Sequence, residues 1–112
     1  MKKLTATKAI EYTLEGRLLE LEEGIEHGSA VIAINKKHGL KISFACPMCQ
    51  YSRQQETWKS KVCGSCPIVI TTGASCGKHD PDYHHYDPQT AISLILYVQY
   101  EWERRYSHRK EV

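Results

Sequence analysis

The stretch FACPMCQYSRQQETWKSKVCGSCPIVITTGASCG, residues 44–77, holds all five cysteines of the chain. Four of them form two Cys-x-x-Cys pairs, Cys46-Pro-Met-Cys49 and Cys63-Gly-Ser-Cys66, and Cys76 trails behind. Whether these sulfurs clamp a metal, form disulfides or make a redox couple decides how the middle of the chain folds. Each pair puts two sulfurs on one tight turn. Two such turns brought face to face supply four soft ligands in a tetrahedron, at about 2.3 Å from Zn²⁺. The thirteen residues between Cys49 and Cys63 are enough to cross such a module and return. Pro47 restricts the first turn, and Gly64 eases the second so that backbone N–H groups can point at sulfur. The spacing therefore predicts one structural, tetrathiolate zinc ion on Cys46, Cys49, Cys63 and Cys66. Cys76 and His79 are substitute ligands, since three cysteines and one histidine make an equally sound set.

Iron competes for the same sulfurs. A tetrathiolate suits a single iron or a [4Fe–4S] cluster, and Pro67 follows Cys66 as it often follows ferredoxin cysteines, but the compact cysteine run of those proteins is missing. A thiol redox reading rests on Cys63 and Cys66. It wants a dithiol at a helix N-terminus, whereas the following IVITTG reads as a strand. Disulfides rank low because a cytoplasmic location is the expectation. MKKLTATKAIEYTLEG meets Glu11 and Glu15 before any apolar run develops, and neither AVIAI nor AISLILYV approaches the roughly 20 residues that span a bilayer. No membrane association is expected.

Outward from the cysteines, 112 residues with 41% apolar content suit a single domain, 1–112, with a small core. A helix is expected from about residue 7 to 24, with Ile10, Leu14, Leu18, Leu21 and Ile25 as its apolar stripe and Glu11, Glu15, Glu22 and Glu26 outside it. Residues 29–44 support two readings. Ser29 as a cap and Gly39 before Leu40 favour a helix with a Schellman-type stop, whereas the β-branched run favours a hairpin. Residues 45–79 form the metal lobe, irregular or partly β, with a short strand in KVCGSCPIVI. A last helix spans about 88–106, capped by Asp87, started by Pro88 and striped by Ala91, Ile95, Val98 and Trp102. The expected architecture is thus mainly α, with terminal helices packed around a zinc-knuckle-like centre.

Charge is unevenly spread. Residues 35–79 carry seven Lys/Arg against one Glu, while the segments on either side are each net −2. Lys36, Lys37, Lys41, Arg53, Lys59, Lys61 and Lys78, with Tyr51 and Trp58 among them, make a basic and aromatic set suited to phosphates and bases. Nucleic-acid binding through this basic lobe is therefore the alternative to a structural role with a protein partner or a second copy of the chain. Catalysis has thin support. HDPDYHHYD offers acid–base groups, but its Asp-Pro steps are accounted for as turn and helix starts, and no phosphate loop, dinucleotide fingerprint or nucleophile elbow is present.

CPMCQY, CGSCPIVI, the GASC step and the tyrosine-rich segment before the last helix resemble small, mostly uncharacterised cysteine-rich proteins of prokaryotes and their phages with paired zinc-knuckle motifs. The resemblance implies a metal-supported, mainly helical fold and no particular activity. The long terminal helices depart from a bare zinc ribbon.

Overall fold

The computed structural model describes residues 4–43, 45–55, 66–73 and 88–106. Among these, every regular element is an α-helix: α1 (Ala6–Glu23), α2 (His27–His38), α3 (Pro47–Gln55), α4 (Pro67–Thr72) and α5 (Pro88–Tyr106). Asp87, the expected cap of α5, lies outside the described residues.

Local chemistry sets the ends. The Thr5 hydroxyl accepts from the Lys8 N–H at 3.1 Å and caps α1. Gly24, at φ +68°, stops α1 by donating its N–H to the Glu20 carbonyl. In α2 the N-cap residue is Glu26, not Ser29. The helix ends in a Schellman arrangement, with the Gly39 N–H on the Lys36 carbonyl and the Leu40 N–H on the Asn35 carbonyl. Capping thus prevails over β-branched propensity across Val31, Ile32 and Ile34.

The same competition corrects the expected β-containing lobe: no strand occurs among the described residues. PIVITT is the helix α4 rather than a strand. Pro67 occupies its first position, where a missing N–H costs nothing, and the Ile70 N–H closes the first turn on the Cys66 carbonyl. Thr71 and Thr72 turn their hydroxyls back onto the Pro67 and Ile68 carbonyls, and Ile68 and Thr71 are buried. Arg105 of α5 then donates to the Ile70 carbonyl at 3.0 Å, satisfying a C-terminal acceptor that a six-residue helix cannot pair itself.

Helix α1 is the hub, packing on α2, α3 and α5, while α5 also packs on α4. The core gathers Ala9, Ile10, Met48, Cys66, Ile68, Ile95 and Val98. Ala91, Ile95 and Val98 are all but sealed on the expected stripe of α5, and Trp102 packs at its edge. On α1 the stripe drifts. Ile10 is buried, but Leu18, Leu21 and Ile25 are exposed, and Thr13, Gly16, Arg17 and Glu20 face inward instead. The inner face of its second half is therefore polar. Arg17 and Glu20 are tolerated there because they pair with each other, and Glu20 also receives His27.

Candidate functional site

The geometry of the described cysteines does not assemble the expected tetrathiolate centre. Among the described residues, no three Cys, His, Asp or Glu side chains come together to hold a metal ion. Cys63, Cys76 and His79 lie outside the described residues. Cys46, Cys49 and Cys66 are thiols rather than disulfides, and helix starts account for all three. Cys46 caps α3, its carbonyl accepting the Gln50 N–H at 2.9 Å, and Cys49 lies in that helix's first turn. Cys66 precedes α4 and is packed into the apolar core. The zinc, zinc-knuckle and iron or [4Fe–4S] expectations are corrected accordingly. What the Cys46-x-x-Cys49 spacing marks is the opening turn of a helix.

That turn has a chemistry of its own. A hydrogen bond from Cys49 pulls the Cys46 thiol down to about 6, against the opposing effect of burial. The Thr13 hydroxyl, 3.6 Å from Cys46 Sγ, and the Met48 and Cys49 N–H groups add to the effect. The single Thr13 hydroxyl hydrogen is shared between the Ala9 carbonyl, at 2.8 Å, and the sulfur, so α1 holds the hydroxyl in place against Cys46.

The larger concavity lies on another side of α3. A cleft of about 800 Å³ opens between the start of α1, the connector after α2 and the outer face of α3. Two glutamines one turn apart on α3 build its rim. Gln50 accepts from the Ile42 N–H at 3.1 Å and donates to the Ile42 and Ala45 carbonyls at 2.7 and 2.8 Å. Gln54 accepts from the Leu4 N–H at 2.8 Å and donates to the Leu4 carbonyl at 2.6 Å. Each side chain thus pairs with an irregular backbone segment as a neighbouring strand would. From the other side Asn35 shares its amide hydrogens among the Ile42, Ser43 and Ala45 carbonyls. The connector is fixed from two helices.

Three cations line this cleft: Lys8 from α1, Lys41 from the connector and Arg53 from α3. No carboxylate does so among the described residues. Glu11 reaches Lys8 only across an exposed 3.6 Å pair, which water weakens. The N-terminal end of α1 opens on the same space through Leu4 and Thr5, and its macrodipole adds to the positive potential. On the wall, Tyr12 and His38 stack with centroids 3.8 Å apart and planes 11° off parallel. Behind the stack, His38 Nε2 donates to Glu15 Oε1 at 2.8 Å, and Lys37 holds the other oxygen. Partial burial raises the Glu15 carboxyl, but these two hydrogen bonds and charges outweigh it and leave it below the usual range.

The basic set read from the sequence is therefore divided. Lys41 and Arg53 meet at the cleft. Lys37 is engaged by Glu15, Lys36 sits in the last turn of α2, and Trp58, Lys59, Lys61 and Lys78 lie outside the described residues. Tyr51 packs against the core, where burial and neighbouring Tyr106 push its phenol up, so it is not a platform for bases. Lys8, Tyr12 and His38 escaped the sequence reading. The signal for the first two was their four-residue spacing, which puts them on one face of α1 beside the apolar stripe.

The cations and the ring pair define a small helical protein with a basic, aromatic-walled cleft. Comparison with protein-family models, curated proteins and solved structures gives no match to this chain. No helix among the described residues is long and apolar enough to cross a membrane.

Proposed function

We propose that this chain is a binding module for phosphate-bearing anions and that the cleft of Lys8, Lys41 and Arg53 receives them. The observation that supports this reading is the convergence of three cations from separate segments on one cleft lined by no described carboxylate. The three come from separate segments of the chain, and with no described carboxylate in the lining their summed charge favours an anion in the cleft. Arg53 brings the forked geometry that suits phosphate oxygens, and the two lysines act as point charges. The broader nucleic-acid expectation narrows to a ligand small enough for a cleft of this size.

The test is calorimetric titration with pyrophosphate. The three side chains are exposed, so the combined variant Lys8→Gln, Lys41→Gln, Arg53→Gln keeps the fold. Saturable binding by the natural chain, weakening as salt rises and lost in the triple variant, is the expected result. Equal binding by both proteins, or none by the natural chain, removes the reading.

A further inference from the structure

We infer that the ligand of this cleft is a nucleotide unit, its phosphate held by Lys8, Lys41 and Arg53 and its base lying on the Tyr12–His38 stack. The inference rests on the anion-binding reading above and adds the ring. Phosphate alone explains the cations but not why two aromatic rings share the lining with them. The stack is close to parallel, at 11° and 3.8 Å, so each ring covers one face of the other and keeps one outer face on which a base can extend the stack. It is also held before any ligand arrives. Glu15 fixes the His38 ring from behind, and Lys37 fixes Glu15. A platform already ordered loses little freedom on binding.

Size agrees. About 800 Å³ lies within the range of clefts that enclose ligands of nucleotide scale and exceeds what a bare phosphate fills. Base–aromatic stacking tolerates every base because each has a π-face, so the site reads a nucleotide without choosing among bases. The rim supports this. Gln50 and Gln54, the amides best suited to read base edges, spend their hydrogen bonds on the Ile42, Ala45 and Leu4 backbone.

The experiment compares AMP, UMP and ribose 5-phosphate by calorimetry on the natural chain. A base that stacks raises affinity by roughly tenfold or more over the sugar phosphate. AMP and UMP binding at least tenfold tighter than ribose 5-phosphate, and within about fivefold of each other, is the expected result. Equal affinity for all three overturns the inference while leaving the anion site standing, whereas loss of pyrophosphate binding strikes the site itself. Tyr12→Ala is expected to reduce AMP affinity about tenfold and leave ribose 5-phosphate unchanged, with Tyr12→Phe restoring it. Should Tyr12→Ala fail to fold, the three-ligand comparison decides without it. A tetranucleotide bearing a 5′-phosphate separates the two sources of a nucleotide unit: tighter binding than AMP identifies a strand end, equal or weaker binding a free nucleotide.

Discussion

His27 Nδ1 stands 2.7 Å from Glu20 Oε2, across the turn that joins α1 to α2. A carboxylate only accepts, so this nitrogen carries the proton. The other Glu20 oxygen takes Arg17 Nη1 at 3.1 Å, and the Arg17 and Glu20 side chains are 1% and 4% exposed. The cluster ties the first helical hairpin where an apolar stripe would be expected to do so. Removing one partner of a buried pair costs more than the pair is worth, because a charge is left behind. Glu20→Ala is therefore expected to lower stability by about 3–5 kcal/mol in urea denaturation. The double variant Arg17→Met, Glu20→Leu should recover most of that loss. A cost for Glu20→Ala below about 1 kcal/mol, the range of a solvent-exposed pair, would show that the cluster does not hold the hairpin.

Gly16 offers a change in the other direction. It lies inside α1 with helical backbone, and a Cβ there would meet only Ile34 Cγ1 at 3.6 Å, an ordinary contact. Glycine inside a helix loses about 0.5–1 kcal/mol relative to alanine, and no close contact here offsets that. Gly16→Ala is expected to raise stability by this amount, read as a higher denaturation midpoint at unchanged m-value. Destabilisation by more than 1 kcal/mol would mean that α1 and α2 approach each other more tightly than that contact implies.

The low Cys46 thiol sets a pH dependence with a definite sign. Its folded value, about 6, lies below the ordinary 9.0, so the folded state binds fewer protons between them. Stability from this group is complete above about 9, declines as pH falls through that window and is gone below about 6. Alkylation by iodoacetamide should accordingly titrate near pH 6 for Cys46. The hydrogen bond from Cys49 is the largest cause, so Cys49→Ala should move that midpoint upward. An unmoved midpoint would transfer the effect to Thr13 and the first-turn N–H groups.

Helix ends were legible wherever a single residue type dictates the backbone. Gly39 before Leu40 and Pro88 are such cases, and each lies where a helix stops or starts. The stripe of α5 was legible because its periodicity runs unbroken through Ala91, Ile95 and Val98. The α1 stripe was misread because Arg17 and Glu20 count as surface residues in any pattern, and only the turn into His27 reveals that they neutralise one another. The cysteine motif misled for a related reason. A Cys-x-x-Cys pair suits a metal turn, a helix start and a dithiol alike, and α1 decides among these at Cys46 by placing Thr13 against its sulfur. The cleft could not be read at all from local sequence, because Lys8, Lys41 and Arg53 meet only once Gln50 and Gln54 have pinned the connector and the N-terminal segment.

That pinning contains a redundancy which a double-mutant cycle exposes. The Ile42 and Ala45 carbonyls each receive hydrogen bonds from both Asn35 and Gln50. Gln50→Leu removes one donor to each carbonyl and orphans only the Ile42 N–H, a cost of about 1–3 kcal/mol. Asn35→Leu likewise leaves both shared carbonyls served by Gln50 and strips only Ser43. With both amides gone the two shared carbonyls lose the Asn35 and Gln50 donors together, so the double variant should cost more than the two single costs together, by about 0.5–3 kcal/mol of coupling. Lys41 and Ile42 form one wall of the cleft, so pyrophosphate affinity should fall furthest in that same double variant. Simple additivity in urea denaturation, with affinity untouched, would mean that the connector keeps its course without these two side chains.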